Sequence, residues 1–325
     1  MNNLFSNITR PIMQAPIGSA CSMELALAVT NAGGIGTLAF TWDSPESVTK
    51  TVAFMNRNTD GLYAANYVLA FEPRSLKAAL DAGIPAIMFS WGMSPEPIEL
   101  VRRSDALLGI QVGSKAAAET AINLGADFLI CQGNEAGGHV QSSTILKALL
   151  KEVVALAEIP VIAAGGIANA DDVAGVLEAG ASIASLGTRF VNASESLAHS
   201  SYQQAIIGAT VDDVAYTCCF DGGWPHSNSR VLRNNTLNQW EAAGCSQPGQ
   251  RPEENAIVAT TAAGWEIPRY HIASPVNTTT GEVLDLALYA GTSVARIHDV
   301  LPAADIVEQL CTKLHDNNQQ MRISA

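Results

Sequence analysis

Aromatic and charged residues are both scarce in this chain: Phe, Trp and Tyr make up 6% of its 325 residues, and Asp, Glu, Lys and Arg only 15%. So little charge beside so much apolar character excludes a disordered or fibrous chain. Cations are the scarcer sign, 18 Lys and Arg against 31 Asp and Glu, for a net charge of −13. With no basic cluster, the chain is not suited to nucleic acid or an anionic membrane surface, and any phosphate-bearing ligand must be held locally. No stretch reaches the ~20 apolar residues of a membrane span. Met1 to Arg10 also lacks the basic-then-apolar order of a secretory leader, so the expected location is cytoplasmic. The six cysteines, Cys21, Cys131, Cys218, Cys219, Cys245 and Cys311, show no CxxC spacing. That argues for reduced structural thiols, Cys131 among them as a small strand residue, over a zinc site or a disulfide framework. There is no HExxH, no carboxylate-rich ligand set and no GxSxG elbow, so neither a metal nor a serine hydrolase triad is expected.

What the chain does have is 48% hydrophobic residues, dominated by Ala, Gly, Val, Ile and Leu, as buried parallel strands under helices require. From Pro11 onward, strand-length apolar segments alternate with helical patterns through about eight cycles, which predicts an α/β fold, a (β/α)8 TIM barrel. The strands are expected at Ile12 to Ile17, Ile35 to Phe40, Leu62 to Leu69, Ala86 to Ser90, Leu107 to Val112, Phe128 to Gln132, Val161 to Ala164 and Ile183 to Leu186. Ser22, Ser44 and Asn169 stand where helix N-caps belong, and Gly33, Gly83, Gly125 and Gly180 where helices end. After Phe190 the rhythm fails. Val214 to Ser274 has no clear period and is rich in Gly, Pro, Asn, Arg and Trp, while helical character returns at Val283 to Ala290 and Ala303 to Leu314. The tail after His315 is polar. The expected organisation is a barrel core at 1–212, a loop-rich subdomain over the barrel top at 213–282, and C-terminal helices packing back on the barrel at 283–325.

In such a barrel the chemistry lies at the C-terminal ends of the strands, and phosphate is held after the seventh and eighth. Ala164-Gly165-Gly166-Ile167 and Leu186-Gly187-Thr188-Arg189 occupy those two places, the first with paired glycines before a helix start, the second with a glycine, a hydroxyl and a cation. Other strand ends carry Gln14-Ala15-Pro16, Asn66, Ser90-Trp91-Gly92 and Gln111, whose amides are suited to a heterocycle edge or to a satisfied barrel mouth. The sixth strand runs into Gln132-Gly133-Asn134-Glu135-Ala136-Gly137-Gly138-His139, where glycines give backbone clearance and one imidazole titrates near neutral pH. His139 is the candidate catalytic group.

With these residues in view, the chain resembles the nitronate monooxygenase family, formerly called 2-nitropropane dioxygenases, from about Pro11 to Leu310. The likeness is carried by Pro11-Ile12-Met13-Gln14-Ala15-Pro16, Asn31-Ala32-Gly33-Gly34-Ile35-Gly36, the Gln132 to His139 loop, Ala163 to Ile167, Leu186 to Phe190, Arg233-Asn234 and Leu288-Tyr289-Ala290-Gly291. The resemblance implies noncovalently bound FMN and oxidation of an alkyl nitronate, or a nitroalkane, by O2 to a carbonyl compound and nitrite. It gives His139 the roles of base and of electrostatic partner to the anion, and makes Gly165, Gly166, Gly187 and Thr188 phosphate contacts. Gln14, Ala15, Pro16, Asn66, Gln111, Gln132, Gly137, Gly138 and Tyr289 would surround the ring. The implied partners are a small nitronate or nitroalkane and O2, with a homodimer compatible with the resemblance. Ile17, Val140-Gln141 and Thr292-Ser293 depart from the family pattern around the ligand. Two other readings compete: an NAD(P)H-dependent flavin enoyl-acyl-carrier-protein reductase, which shares the EAGGH and AAGGI stretches, and a flavin- or phosphate-binding barrel without turnover.

Overall fold

The computed structural model describes residues 8–314; the polar tail after His315 and most of Met1 to Arg10 lie outside the described residues. Eight parallel strands form the centre: β1 (Ile12–Gln14), β2 (Gly36–Ala39), β3 (Tyr63–Val68), β4 (Ala86–Ser90), β5 (Leu107–Val112), β6 (Phe128–Gln132), β7 (Val161–Ala164) and β8 (Ile183–Leu186). From β2 to β8 each pairs with its sequence neighbour, and β1 pairs with β8. The ring shuts between β1 and β2 through a parallel bridge from Met13 to Ile35, with Ile35 N donating to Ile12 O at 2.9 Å and Gln14 N to Ile35 O at 3.0 Å. This is the TIM barrel the alternation predicts. The last five strands match the expected ranges residue for residue, and the first three stop a little short of theirs.

Side-chain parity sorts the strands into two cores. Outward residues such as Ile12, Ile87, Phe89, Ile110 and Leu129 pack under the helices, while Met13, Ala64, Met88, Phe128, Ile130 and Ile162 fill the barrel interior, as a period of two demands. Gly109 belongs to the inward set because a Cβ there would lie 2.3 Å from the Phe128 ring. Three of the helices between the strands begin on the expected caps: Ser22 Oγ accepts from Leu25 N at 2.8 Å, Ser44 Oγ from Ser47 N at 3.2 Å, and Asn169 Oδ1 from Asp172 N at 2.9 Å. Each such cap stabilises its helix by about 1 kcal/mol. Gly33, Gly83, Gly125 and Gly180 end helices at φ of 90°, 78°, 83° and 99°, a left-handed conformation that glycine adopts without penalty.

The eighth unit is built differently. After β8 the chain makes a single helical turn, Thr188–Val191, and leaves the barrel at Asn192. It returns at Leu301, where Leu301 N donates to Asn192 O at 3.3 Å and Ser194 N to Leu301 O at 2.9 Å. The helix Ala303–Leu310 then lies against both the first helix, Met23–Asn31, and the seventh, Ala170–Glu178, and buries Ala303, Ile306, Val307 and Leu310 in the outer core. It fills the eighth helix position.

The excursion between these points is more regular than its sequence suggested. It contains the helices Ser200–Ile207 and Asn235–Ala242 and two small antiparallel sheets. One sheet joins Val214–Thr217 and Ser229–Leu232 to the barrel's own Gly138–His139; the other joins Ile257–Thr260, Glu266–Pro268 and Thr280–Gly281. Strands of two to four residues are too short to display a period, which is why Val214 to Ser274 reads as loop. The helix expected over Val283 to Ala290 is not there. Only Val283–Asp285 turns, as a 3-10 turn, and Tyr289 makes an isolated bridge to Val231, because Leu286, Leu288 and Ala290 are buried in the excursion's cores. No helix among the described residues is long and apolar enough to cross a membrane.

Candidate active site

At the C-terminal ends of the strands the inward positions turn from apolar to polar. Continuing the parity of Ala64, Met88 and Ile130, the next inward residues are Asn66, Ser90 and Gln132, with Gln111 following Gly109 on β5. All four line a cavity of about 700 Å³ at the barrel mouth, within the size range of small-molecule sites. Ala15, Pro16, Gly137, Gly138, His139, Gly165, Gly166, Gly187, Thr188 and Tyr289 line it as well. Gln14 does not. It shares outward parity with Ile12, is fully buried, and spends its amide on Ala15 O and, through Oε1, on Thr37 N at 2.9 Å. Its part is to hold the Ala15 backbone.

The residues expected to hold a phosphate divide in the same way. Gly165 and Gly166 turn at φ of 113° and 71°. The turn is clamped from outside by Arg296, whose Nη2 donates to Gly166 O at 2.5 Å and whose Nε reaches Asp172 Oδ2 at 3.0 Å. At Gly187 an added Cβ would meet nothing closer than 3.7 Å, so this backbone looks onto open cavity. Thr188 Oγ1 accepts from Gly291 N at 3.0 Å, which leaves its own proton to donate. Arg189, expected beside the phosphate, turns the other way and pairs with Asp299 at 2.6 Å; burial lowers its guanidinium pKa and Asp299 works against that. No Lys or Arg lines the cavity among the described residues, and its one carboxylate is Asp43, whose pKa is raised by burial. A phosphate at these glycines would be met by backbone N–H groups and hydroxyls, with no Lys or Arg of the cavity lining beside it.

The Gln132 to His139 loop is held from several sides. Glu135 is structural: its carboxylate accepts from Leu146 N at 2.8 and 3.1 Å, capping the helix Leu146–Leu156. Gly137 gives clearance to protein rather than to a ligand, since a Cβ there would lie 2.5 Å from Gly291 N. Gly138, at φ 74°, has no atom within 4 Å of that position and faces the cavity. Gln132 is tied to the loop, Oε1 accepting from Gln141 N at 3.0 Å and Nε2 donating to His139 O at 3.3 Å. Gln111 Nε2 donates to Gln141 Oε1 at 2.6 Å. The departure at Gln141 thus occupies one of the amides assigned to the ligand, while Val140 is simply buried.

His139 is set by a residue the sequence did not offer. Ser229 pairs with His139 across the small sheet, which brings Ser227 Oγ to 3.2 Å from His139 Nε2. The serine hydroxyl has one proton, and it goes to Trp224 O at 2.7 Å. Toward the imidazole it can therefore only accept, so Nε2 carries the proton and Nδ1 keeps its lone pair. The ring lies 4.4 Å from Trp224, stacked at 27°, and 5.4 Å from Tyr289. Burial drives its pKa down to about 4, so the imidazole is neutral at pH 7. As a neutral ring it carries no charge toward an anion, in contrast to the electrostatic role expected for it. Tyr289 offers only its ring, because its hydroxyl donates to Ile272 O at 2.7 Å.

Trp42, Trp224, Trp265 and His271 also line the cavity, and none was singled out as a site residue from sequence. His271 Nδ1 accepts from Ala273 N at 3.0 Å, which places the proton of this second, neutral imidazole on Nε2. The loop bearing Trp224 and Ser227 is anchored by Asp221, whose carboxylate pairs with Arg251 at 2.7 Å, both groups being buried, and accepts from His226 N at 3.1 Å. Cys131 points away on outer parity, its thiol pushed up to about 12 by burial. No grouping of three His, Cys, Asp or Glu suited to a metal occurs among the described residues.

Comparison with known proteins agrees with this architecture. The family model described as nitronate monooxygenase matches residues 65–313. A probable nitronate monooxygenase of Staphylococcus saprophyticus is 28% identical over 77% of this chain and 84% of its own. Among solved structures, FabK from Thermotoga maritima superposes with a TM-score of 0.80 at 25% identity, covering 98% of this chain and 96% of that one. Nitroalkane oxidase from Streptomyces ansochromogenes superposes at 0.77 with 25% identity, covering 98% and 100%. With the family model spanning most of the barrel and all of the excursion that roofs it, this oxidoreductase belongs to the nitronate monooxygenase family, a flavin-dependent group.

Proposed function

We propose that the chain oxidises alkyl nitronates with O2 to a carbonyl compound and nitrite, with FMN as the flavin. The observation that carries this reading is His139: a neutral imidazole whose Nε2–H is fixed on Ser227 and whose Nδ1 is free to take a proton at the cavity wall. The residues present suit FMN. Gly165, Gly166, Gly187 and Thr188 would receive the phosphate by N–H and hydroxyl donation, and Ala15, Pro16 and Asn66 would border the ring, with Gly138 leaving space over it. When bound, the flavin supplies the redox chemistry.

His139 then decides which substrate form is used. A base with a pKa of about 4 is poorly matched to nitroalkane C–H groups, which ionise well above neutral pH, so the ready-made nitronate is the preferred form. An anion arriving beside the ring offsets the burial and draws a proton onto Nδ1, which turns a neutral acceptor into a charged donor for the nitro oxygens.

Purified protein should be yellow, release FMN on denaturation, consume O2 and liberate nitrite from ethyl nitronate with no NADPH present. Rapid NADPH oxidation with an enoyl thioester, and no nitrite from any nitronate, would assign the site to the reductase chemistry instead. A colourless protein that takes up no flavin would refute both.

A further inference from the structure

The chain has five tryptophans, and four of them, Trp42, Trp91, Trp224 and Trp265, line this one cavity. In a protein with so few aromatics that concentration calls for a cause. The rings form a continuous wall from the surface to the imidazole: Trp42 lies 5.4 Å from Phe71, Phe71 5.3 Å from Trp224, and Trp224 4.9 Å from Trp91 and 4.4 Å from His139. Trp91 holds its place with a left-handed backbone at φ 58°, a conformation that costs a bulky residue energy and persists where the surroundings enforce it. At the outer end Trp42 and Trp265 are 62% and 48% exposed. Large apolar rings left in water at the rim of a cavity gain most when a ligand covers them.

We propose that the outer half of the cavity is a subsite for an aryl group: an aromatic ring carried by a substituent of the reacting carbon stacks among Trp42, Phe71, Trp224 and Trp265. This rests on the oxidoreductase reading of the same site and deepens it by naming aryl-substituted alkyl compounds as preferred over short alkyl ones. Tilted and edge-on rings present both faces and edges to a guest ring, and a flat π-system gains from such contacts beyond the area it buries. A linear acyl chain fits the wall less well, since it gains only by area.

Calorimetric titration of the flavin-loaded protein with phenylacetone, butan-2-one and octan-2-one tests this without turnover. Phenylacetone should bind about tenfold more tightly than butan-2-one, and more tightly than octan-2-one. Trp265→Ala and Trp42→Leu should each reduce that preference severalfold, and Trp265→Phe should keep most of it. Should Trp265→Ala fail to hold flavin, Trp42→Leu at the exposed rim decides alone. Equal binding of the three ketones, tightest binding of octan-2-one, or a preference that survives loss of the rim tryptophans would overturn the proposal. Because no nitrite is measured, failure of the nitronate reading leaves this result standing, and failure of the aryl subsite leaves nitrite release untouched.

Discussion

Replacing Ser227 with Ala removes one hydroxyl that makes two bonds, from His139 Nε2 at 3.2 Å and to Trp224 O at 2.7 Å. The second loss is cushioned, since Ser227 N also donates to Trp224 O at 3.2 Å. The first leaves a largely buried N–H without its acceptor, at a cost of about 1–3 kcal/mol. The ring can escape by moving its proton to Nδ1, which fills the one lone pair left to act as a base. If one tautomer is productive, a penalty of about 1.4 kcal/mol on it reduces its population about tenfold and 3 kcal/mol about a hundredfold. The expected result is a kcat/KM for a neutral nitroalkane reduced about 10- to 100-fold, with a smaller loss for the nitronate, which gives up no proton. Nitrite release over a substrate series gives the kinetics, and nitrogen-15 shifts of the imidazole give the tautomer. Unchanged kinetics with the proton still on Nε2 would refute the assignment of Ser227 as the residue that positions His139.

Two further expectations concern the same region. His139 falls from its ordinary pKa of 6.5 to about 4 on folding, so between those values the unfolded chain binds a proton that the folded one refuses. Stability should drop as pH falls through that window, by up to about 3 kcal/mol, and His139→Asn should flatten that part of a denaturation-versus-pH profile; an identical slope in both proteins would count against the burial. Asp221→Ala leaves Arg251, 4% exposed, with only the longer ion pair to Glu254 at 3.9 Å and the Cys219 carbonyl, and the expected loss is about 3 kcal/mol. Thermal unfolding measures it, and a change under 1 kcal/mol would mean that the pair does not anchor the Trp224 loop.

The barrel was legible because it rests on two local signals, strand parity and helix caps, which survive in a single chain; Ser22, Ser44 and Asn169 cap as read. The mouth was legible to the same degree, since extending the inward parity of Met88 and Ile130 gives Ser90 and Gln132 directly. Gln14 misled because position at a strand end was considered without parity, which points it at the outer core. Arg189 misled because a cation beside a glycine suggests phosphate, whereas its partner, Asp299, is more than a hundred residues away. Ser227, Trp265 and His271 were invisible for that reason too. They reach the cavity through pairings of very short strands and through buried ion pairs, and neither leaves a pattern in nearby sequence.

The helix that completes the barrel, Ala303–Leu310, is the last described element, and its partner Met23–Asn31 is the first long one. During synthesis at roughly 5–20 residues per second, the first helix therefore waits for many seconds without the partner helix that packs against it. Contacts so distant in sequence slow folding and expose apolar surface to wrong partners. The excursion carrying Trp224, Ser227 and Trp265 emerges before that seam is sealed, so the roof of the cavity is available while its walls are still unfastened. Release of the nascent chain between Ser293 and Ala303 would yield a species with all eight strands and its cavity-lining residues, yet prone to aggregate through the first helix that the last one should cover.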